Sequence, residues 1–591
     1  MRHANARGDF AATSRLLRTA ALAVVVGLLS TAAAYALIHL IRFFTQLFFF
    51  QTLSFAERSP AENTLGLWII VVPVIGGLII GLMARYGSEK IRGHGIPEAI
   101  EAILFGKSKI SPKVAVLKPV SSAIGIGSGG PFGAEGPIIM TGGALGSLLA
   151  QFFHLSGGER KTLLVAGAAA GMTAIFGTPV AALLLAVELL LFELRPRSLL
   201  PVALACAVAG FARPLLLESG PLFPLETAAL GPLGLFACVA AGILAGALCW
   251  ALSTSLYKVE DLFGKLPIHW MWWPALGGLA IGIGGYFEPR ALGVGYDVIA
   301  DLLANHLAAG IVIGLILVKA AIWVISLGSG TSGGVLAPLL MMGAALGAVV
   351  APYMPGGAPA VWPLVFMAAT LGGMMRAPIM AVVFAFELTH DVNALLPLLM
   401  TCAVSYGFTV LVMKRSILTE KIARRGYHIF REYGIDPLER HAVGEVMTRE
   451  VETIDAGAAV ADVLSAQFGP MQQHRAYPVV ENGELLGMLD RETLVSAGGR
   501  HAQGRVRDLF GVNTPVMATA HETCRTVAGR LAVHALERLP VVEDAQTRKL
   551  VGVISRSDLV KPALTQFDDE ERREAFRRTP LSVWRDRRTR A

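Results

Sequence analysis

Three glycine-rich loops of this chain end in proline: GHGIP at 93–97, GAEGP at 133–137 and GGVLAP at 333–338. Proline suits the first turn of a helix and glycine lets backbone N–H groups crowd together, so each loop can present a helix N-terminus with free donors. Converging N-termini carry partial positive charge and can bind a small anion without a buried cation. Amides would also let the ion leave, whereas a lysine or arginine would hold it too tightly. These loops predict reversible anion binding.

Glu135 places an ionisable group inside the second of these loops. A carboxylate within an apolar span is costly and usually functional. It could simply be tied to local amides. Alternatively, it could occupy the anion site when charged and leave when protonated, which would make a gate coupled to proton concentration. We favour the gate. The glycines alone could serve only close helix packing, but three such loops, two of them related by a repeat, favour a site.

The composition excludes a soluble globular protein of this size. Of 591 residues, 54% are hydrophobic and 16% are charged, and the mean hydropathy is +0.58. Runs long enough to cross the hydrocarbon of a bilayer occur at 19–41, 64–83, 232–252 and 393–413. Shorter runs, broken by glycine, proline or charge, predict partial or tilted helices at 138–153, 161–175, 338–352 and 361–375.

The net charge of +7 reflects two basic ends of the chain, which favours a membrane surface over nucleic acid. The N-terminal arginines precede the first apolar run, so the positive-inside rule places residues 1–18 in the cytoplasm. A cleaved signal peptide fits less well, because the apolar run continues to Ile41.

An internal repeat relates two stretches about two hundred residues apart. GSG at 127–129 and at 328–330 precedes a proline-ended loop in each, and the runs PVAALLLAVEL and PIMAVVFAFEL follow in the same order. Repeats in an apolar chain are typical of transporters whose site lies at the repeat interface. We predict a membrane part over 19–420, with repeat halves at about 64–215 and 232–413.

After a linker near 414–440, the composition becomes that of a soluble domain. The strand–helix–strand–turn–strand pattern occurs twice, with PVV strands, glycines at Gly487 and Gly552, and a closing RSDL. This α+β segment resembles a tandem pair of CBS domains, at 441–497 and 506–562. A charged tail follows at 563–591.

Taken together and in this order, the three loops resemble the signature motifs of the CLC family of chloride channels and chloride/proton antiporters. GHGIP is similar to that family's GSGIP, GAEGP to its GREGP and GGVLAP to its GxFxP. The resemblance implies an all-α polytopic membrane domain with an inverted repeat, and a homodimer with one anion pathway in each subunit. It implies Glu135 as external gate. The anion-binding residues that it implies are His94, Gly95, Ile96, Gly136, Val335, Leu336 and Leu418.

The departures from the family motifs concern the anion site itself. His94 stands where the family usually has a serine, and Leu418 where it usually has a central tyrosine. Coordination would then rest on amides and on a His94 N–H donor, which would bind more strongly when protonated. The alternative is that His94 points away and bonds a carbonyl.

The internal glutamate that antiporters of this family use for protons is replaced by Leu189. Its neighbour Glu188, like Glu387 in the other half, is expected to be structural, although Glu188 also borders the expected proton pathway. Glu193 lies one helical turn beyond Leu189 and could substitute as a proton acceptor. The missing glutamate favours a passive, voltage- or pH-gated chloride channel. The alternatives are a chloride/proton antiporter, a transporter of fluoride or nitrate, and a membrane-anchored CBS ligand sensor.

The CBS resemblance implies an adenosine nucleotide site with Asp558 on the ribose, or a dimer scaffold without ligand. The first module has DRET where the second has RSDL, so one site is expected rather than two. We expect no enzyme activity, metal, required cofactor or nucleic-acid partner. Chloride is the expected ligand and the inner membrane the expected location, with the N-terminus and the CBS domains in the cytoplasm.

Overall fold

The computed structural model describes residues 15–217, 220–355, 359–427, 429, 437–469, 472, 474–495, 504–510, 515–561 and 573–574. The chain divides into a larger unit of residues 1–429 with 573–591, and a smaller unit of residues 430–572. Most of the predicted N-terminal segment 1–18 and of the charged tail 563–591 lies outside the described residues.

The first half of the larger unit is helical, with short connections. Its described helices are α1 (Arg15–Phe50), α2 (Val71–Tyr86), α3 (Ile96–Leu104), α4 (Pro112–Gly127), α5 (Glu135–Gln151), α6 (Gly157–Phe176), α7 (Pro179–Leu185) and α8 (Pro196–Leu216). A π-helical segment, Ala186–Leu191, continues α7. The short strand β1 (Leu155–Ser156) precedes α6 and pairs with β8 (Arg573–Glu574).

The second half repeats this order. Its described helices are α9 (Pro232–Gly264), α10 (Trp273–Phe287), α11 (Tyr296–Leu303), α12 (Ala309–Gly328), α13 (Leu336–Val350), α14 (Val361–Met375), α15 (Pro378–Thr389) and α16 (Leu395–Val412), followed by α17 (Ile417–Arg424). Helix α1 packs on α6 and α8 as α9 packs on α14 and α16, which extends the first half back to Arg15.

Seven helical segments of the described chain are long and apolar enough to cross a membrane, which confirms the prediction of a polytopic helical protein. The four shorter runs form α5, α6, α13 and α14, of 15 to 20 residues each. These helices are buried along most of their length, as their broken apolar pattern requires, because neighbouring helices must cover their ends.

The two halves meet through α2 and α10, which pack closely on each other. A side chain at Gly77 would overlap the backbone of Pro274, and one at Gly278 would overlap the backbone of Pro73. Small residues allow helix backbones to approach this closely within a membrane. Each of these contacts has its counterpart in the other half, as two-fold related repeats require.

The smaller unit contains two similar three-stranded sheets. The first sheet has the strand order β2 (Ile454–Asp455), β3 (Ala476–Glu481), β4 (Glu484–Asp490). The second has the order β5 (Ala518–Thr519), β6 (Arg538–Val542), β7 (Leu550–Ser555). In each, the first pair is parallel and the second is an antiparallel hairpin with a register shift at the same place. Its described helices are α18 (Pro437–Arg440), α19 (Val443–Val446), α20 (Val460–Ala466) and α21 (Cys524–Val533). The duplicated pattern predicted from sequence is present.

Candidate functional site

The glycine loops of the two halves are hydrogen-bonded directly to each other. Gly133 and Gly334, which occupy equivalent places in the repeat, exchange both backbone bonds, with N···O distances of 3.1 and 2.9 Å. The N–H of Gly333 also donates to the carbonyl of Gly93 at 3.4 Å. The structure therefore brings together the three loops that the sequence singled out.

Glycine is required where the first loop crosses the second. Gly95 has a φ of +90°, and a Cβ there would lie 2.8 Å from the carbonyl oxygen of Gly136. A Cβ on Gly136 would overlap the carbonyl of His94. Any side chain at either position would force the loops apart, so close backbone approach explains both glycines.

Helices α5 and α13 begin at this meeting point, with Glu135 and Leu336 as their first residues. The backbone donors of their first turns have no partner within the helix. Helix α3 differs, because the N–H of Gly95 donates to Oε2 of Glu98 at 3.0 Å. The expectation that Gly95 offers a free amide is thus not met in this structure. A G-x-x-E capping pattern in the sequence could have revealed it.

The carboxylate of Glu135 is fully buried among these loops. Its Oε1 accepts a hydrogen bond from the hydroxyl of Tyr296 at 3.0 Å. A Cβ built on Gly133 would overlap the carboxylate, and one built on Gly334 would lie 3.0 Å from Oε2. The carboxylate therefore lies against the backbone of the second and third loops, where the sequence predicted an anion.

Tyr296 belongs to a fourth loop, residues 293–296, which sequence reasoning missed. It has the same G-x-G spacing as the first loop, two hundred residues later, and both of its glycines also have positive φ. Asp297 stands where the first loop has Pro97, so the fourth loop lacks the proline that identified the others. The repeated G-x-G spacing was the sequence signal that could have identified this fourth loop.

The buried lysines Lys118 and Lys319 were also missed. Lys118 Nζ donates to the carbonyls of Ile91 and Gly93 and to Oγ of Ser332, at 2.8, 2.6 and 3.0 Å. Lys319 Nζ donates to the carbonyls of Ala291 and Gly293, at 2.9 and 3.0 Å. Each lysine therefore fixes the backbone of a G-x-G loop through its carbonyl groups.

His94 lies on the wall of a cavity of about 590 Å³ in the larger unit. The ring is 2% exposed, and its Nδ1 has no hydrogen-bond partner among the described residues. The cavity wall carries the basic side chains of Lys90, Arg92, Lys109, Lys421, Arg424 and Arg425 and the acidic side chains of Glu89, Glu98, Glu101 and Glu260. Arg92 pairs with Glu89, and Lys421 and Arg425 both pair with Glu98. Because basic side chains outnumber acidic ones, the cavity favours an anion over a cation.

The remaining predicted anion-site residues, Ile96, Val335, Leu336 and Leu418, are fully buried and apolar. Leu418 brings no hydroxyl to the cavity. The hydroxyl of Tyr257, which also lines the cavity, donates to the carbonyl of Ile417, the residue before Leu418. A phenol from α9 thus lies beside the segment where the family motif would have placed one.

Glu188 and Glu387 form reciprocal helix caps. Glu188, in the segment that continues α7, caps α15, and Glu387, on α15, caps α7. Oε2 of Glu188 accepts from the N–H of Met380 at 2.9 Å, near the start of α15. Both oxygens of Glu387 accept from the N–H groups of Val180 and Ala181, at 3.0 and 2.8 Å, at the start of α7. A carboxylate at a helix N-terminus stabilises the helix, so this geometry supports structural roles.

The side chain of Glu193 follows the π-helical segment and is 25% exposed. Its Oε1 accepts from Ser198 Oγ at 2.6 Å, and Arg195 lies 3.6 Å from Oε2. Leu189 is buried. Glu193 is therefore accessible to protons, but it is not inside the loop cluster.

In the smaller unit, Asp558 is buried and both of its oxygens are engaged. Oδ2 accepts from N and Oγ of Ser555, at 2.8 and 2.7 Å, and Oδ1 pairs with Nζ of Lys561 at 2.6 Å. Burial opposes ionisation, but the ammonium of Lys561 and the two Ser555 donors outweigh it and lower the pKa of Asp558. A ribose would have to displace these contacts to reach the carboxylate.

Family models match both units. One described as a voltage gated chloride channel covers residues 76–410, more than half of the chain, and a CBS domain model matches 443–499 and 506–563.

Several relatives carry chloride transport in their names. The chain is 28% identical over 374 residues to a putative chloride channel protein ClcB-like of Ralstonia nicotianae, covering 60% of this chain and 85% of that protein. It is 27% identical over 370 residues to the H(+)/Cl(-) exchange transporter ClcA of Salmonella arizonae, covering 58% and 76%. The chloride channel protein CLC-f of Arabidopsis thaliana is 31% identical over 368 residues, covering 56% of this chain and 46% of that protein.

Solved structures share the fold. A eukaryotic CLC transporter matches with a TM-score of 0.61 and 19% identity, covering 92% of this chain and 98% of that one. A slow cyanobacterial Cl-/H+ antiporter matches with a TM-score of 0.61 and 24% identity, covering 69% and 98%. The names of the sequence relatives include both channels and an exchanger, so the comparisons do not distinguish between these two activities.

Proposed function

The chain belongs to the CLC family of voltage-gated chloride channels, and on that premise we propose that Glu135 gates a chloride pathway through its four glycine loops. Chloride transport of the CLC type by a multi-pass membrane protein follows from family membership. The gate, the route and the absence of proton coupling are the proposal. One observation carries it: a fully buried carboxylate lies against the loop backbone at the start of two helices.

The charged carboxylate acts as a tethered anion. In that state it competes with chloride for the partial positive charge at the N-termini of α5 and α13. A proton removes the negative charge and with it the attraction, so the side chain can leave and chloride can take its place. Because backbone amides rather than a cation hold the ion, its release stays fast.

The cavity beside His94 supports a route to the site from one face. Basic side chains outnumber acidic ones on its wall, which raises the local anion concentration, and His94, whose Nδ1 is unpaired, belongs to that wall. The Gly95 N–H already donates to Glu98. Chloride would therefore be coordinated by the backbone amides at the start of α5 and α13 and by the His94 imidazole. His94 then has the role that a serine hydroxyl fills in the family motif.

We infer passive chloride flow rather than proton exchange. Leu189 cannot carry a proton, Glu188 is engaged with the N–H of Met380, and Glu193 lies outside the loop cluster. The second candidate is an antiporter that uses the accessible carboxylate of Glu193. A preference for fluoride or nitrate on the same fold is the third, since His94 and Leu418 alter the anion site.

Chloride and proton movements recorded together from the purified protein in liposomes test this proposal. Chloride efflux without proton movement is expected. Protons driven uphill by a chloride gradient at a fixed ratio would establish the antiporter instead. In that case Glu193→Gln should abolish proton movement. Glu288→Gln, at the residue directly after α10, is the matched control.

We further propose a homodimer in the inner membrane, with the CBS unit in the cytoplasm as a modulator. The arginines before α1 support a cytoplasmic N-terminus. The CBS unit can bias the pathway only if it interacts differently with open and closed states. An adenosine nucleotide is the expected effector if Asp558 exchanges its Ser555 and Lys561 contacts for ribose hydroxyls.

A further inference from the structure

The gate carboxylate receives a hydrogen bond from the opposite half of the repeat. Tyr296 is the first residue of α11, and its hydroxyl donates to Oε1 of Glu135 at 3.0 Å. The two residues are 161 positions apart in sequence. The bond therefore joins the gate to the fourth loop, which the predicted site did not include.

The tyrosine ring is held in place from several sides. The rings of Phe176 and Phe223 meet it edge to face, with centroids 6.1 and 6.3 Å away. Gly295 precedes it with a φ of +76°, and Lys319 fixes the loop through the carbonyl of Gly293. A hydroxyl on so constrained a ring is positioned before the carboxylate arrives, which lowers the entropy lost on bonding.

The counterparts of this pair in the other half carry no polar group. The repeat relates Tyr296 to Ile96 and Glu135 to Leu336, which are both fully buried. The two halves thus share their loops but differ in this one hydrogen bond. The polar pair belongs to a function of one side of the pathway rather than to the repeat's packing.

Resting on the proposed function, we propose that Tyr296 is the latch of the gate, a positioning residue whose hydroxyl holds the charged Glu135 in the anion site. A hydroxyl stabilises a carboxylate more than a neutral carboxyl, because hydrogen bonds to charged acceptors are stronger. The latch therefore sets how acidic the solution must be before the gate opens.

Other titratable groups lie on the elements around the gate, and three of them have partners of their own. Lys118 and Lys319 bond loop carbonyls, and Glu98 caps α3 and pairs with Arg425. His94 lies on the wall of the cavity described above, and Asp297 follows Tyr296 on α11. Among the described side chains, the Tyr296 hydroxyl is the one with a recorded hydrogen bond to Glu135.

Tyr296→Phe tests the latch, because it removes the hydroxyl and keeps the ring. Chloride efflux from liposomes is measured across a pH series. We expect the midpoint of activation to move to higher pH by about one unit, since the closed state loses a charge-assisted hydrogen bond. At neutral pH, this gives a several-fold higher flux. A midpoint that is unchanged or lower overturns the inference.

The controls separate a latch from a structural role. Tyr286→Phe removes a hydroxyl from an exposed tyrosine on α10 and should leave the profile unchanged. When Glu135 is already replaced by glutamine, adding Tyr296→Phe should not change the dependence of chloride efflux on pH any further. A uniform loss of flux at every pH, present also in that background, means that Tyr296 only supports the fold.

A second variant covers the case in which Tyr296→Phe does not fold. Tyr296→Leu also lacks the hydroxyl. Whichever of the two Tyr296 variants is monodisperse in detergent must show the shift of the activation midpoint to higher pH. If Glu135→Gln itself keeps the pH dependence, the proposed gate fails. If it loses that dependence while both Tyr296 variants keep the original midpoint, the gate stands and the latch alone fails.

Discussion

Lys118 and Lys319 are the same residue of the repeat, each fully buried and each bonded to two carbonyls of a G-x-G loop. An ammonium group in the interior requires such partners, because desolvation is otherwise prohibitive. The two lysines hold the loops in their positive-φ conformations, behind the backbone that faces the anion site. We infer that they shape the proposed anion site through these carbonyl bonds.

Lys118→Met should therefore destabilise the protein. Removing one ammonium leaves two buried carbonyls and the Ser332 hydroxyl without that donor, at a cost of about 2 kcal/mol or more. Lys319→Met should cost less, because it strands two acceptors. Thermal unfolding in detergent ranks the stability of the two variants, and Lys265→Met, at an exposed lysine, is the control. Equal stability of all three variants would contradict the anchoring role.

Glu135→Gln should remove the dependence of chloride flux on pH. The amide resembles a protonated carboxyl and cannot be charged, so the gate no longer responds to protons. Chloride efflux measured between about pH 4.5 and pH 8 should not change with pH, because the glutamine side chain cannot gain or lose a charge in this range. Glu159→Gln, on a carboxylate that caps α6 away from the loops, is the control. A retained pH profile would exclude Glu135 as the gate.

His94→Ser should change the preference among anions, because it replaces a ring nitrogen on the cavity wall with a hydroxyl. We expect chloride to gain over nitrate and fluoride by a fewfold, since the substitution restores the residue of the family motif. Competition of each anion with chloride efflux gives the measurement. His269→Ser changes an exposed histidine and serves as the control. An identical selectivity order would assign His94 to packing.

Asp558→Asn should weaken the CBS unit in a pH-dependent way. The lowered pKa of Asp558 means that its charged form stabilises the folded state above the pKa of the unfolded chain, near 3.9, and that this contribution is lost as the pH falls through the folded-state value. The variant should exchange amide hydrogens faster in β7 at pH 7, and the difference should shrink below about pH 4. Asp462→Asn, which changes an exposed aspartate on α20, is the control. A pH-independent difference would contradict the ion pair.

Much of the fold could be predicted from the sequence, because long apolar runs and repeated motifs are local signals. The loops at 93–97, 133–137 and 333–338 were recognised because proline and glycine mark the start of a helix. Tyr296 was not recognised, because its loop has no proline and its partner lies 161 residues away. Lys118 and Lys319 look like ordinary helix residues until the fold supplies their acceptors.

The site chemistry was predicted less completely for a similar reason. Glu135 stood out as a lone carboxylate in an apolar run. The capping of Gly95 by Glu98 depends on the side-chain rotamer, which spacing suggests but does not determine. The cavity beside His94 depends on α17, whose contact with α3 arises from tertiary packing. Long-range contacts of this kind have no local signature.

The reciprocal bonds between Gly133 and Gly334 limit how this protein can move. Two backbone hydrogen bonds tie the halves together at the proposed anion site. Rocking one half against the other, as many secondary transporters do, would break both bonds. Ion passage is therefore expected to depend on the swing of single side chains within a static frame.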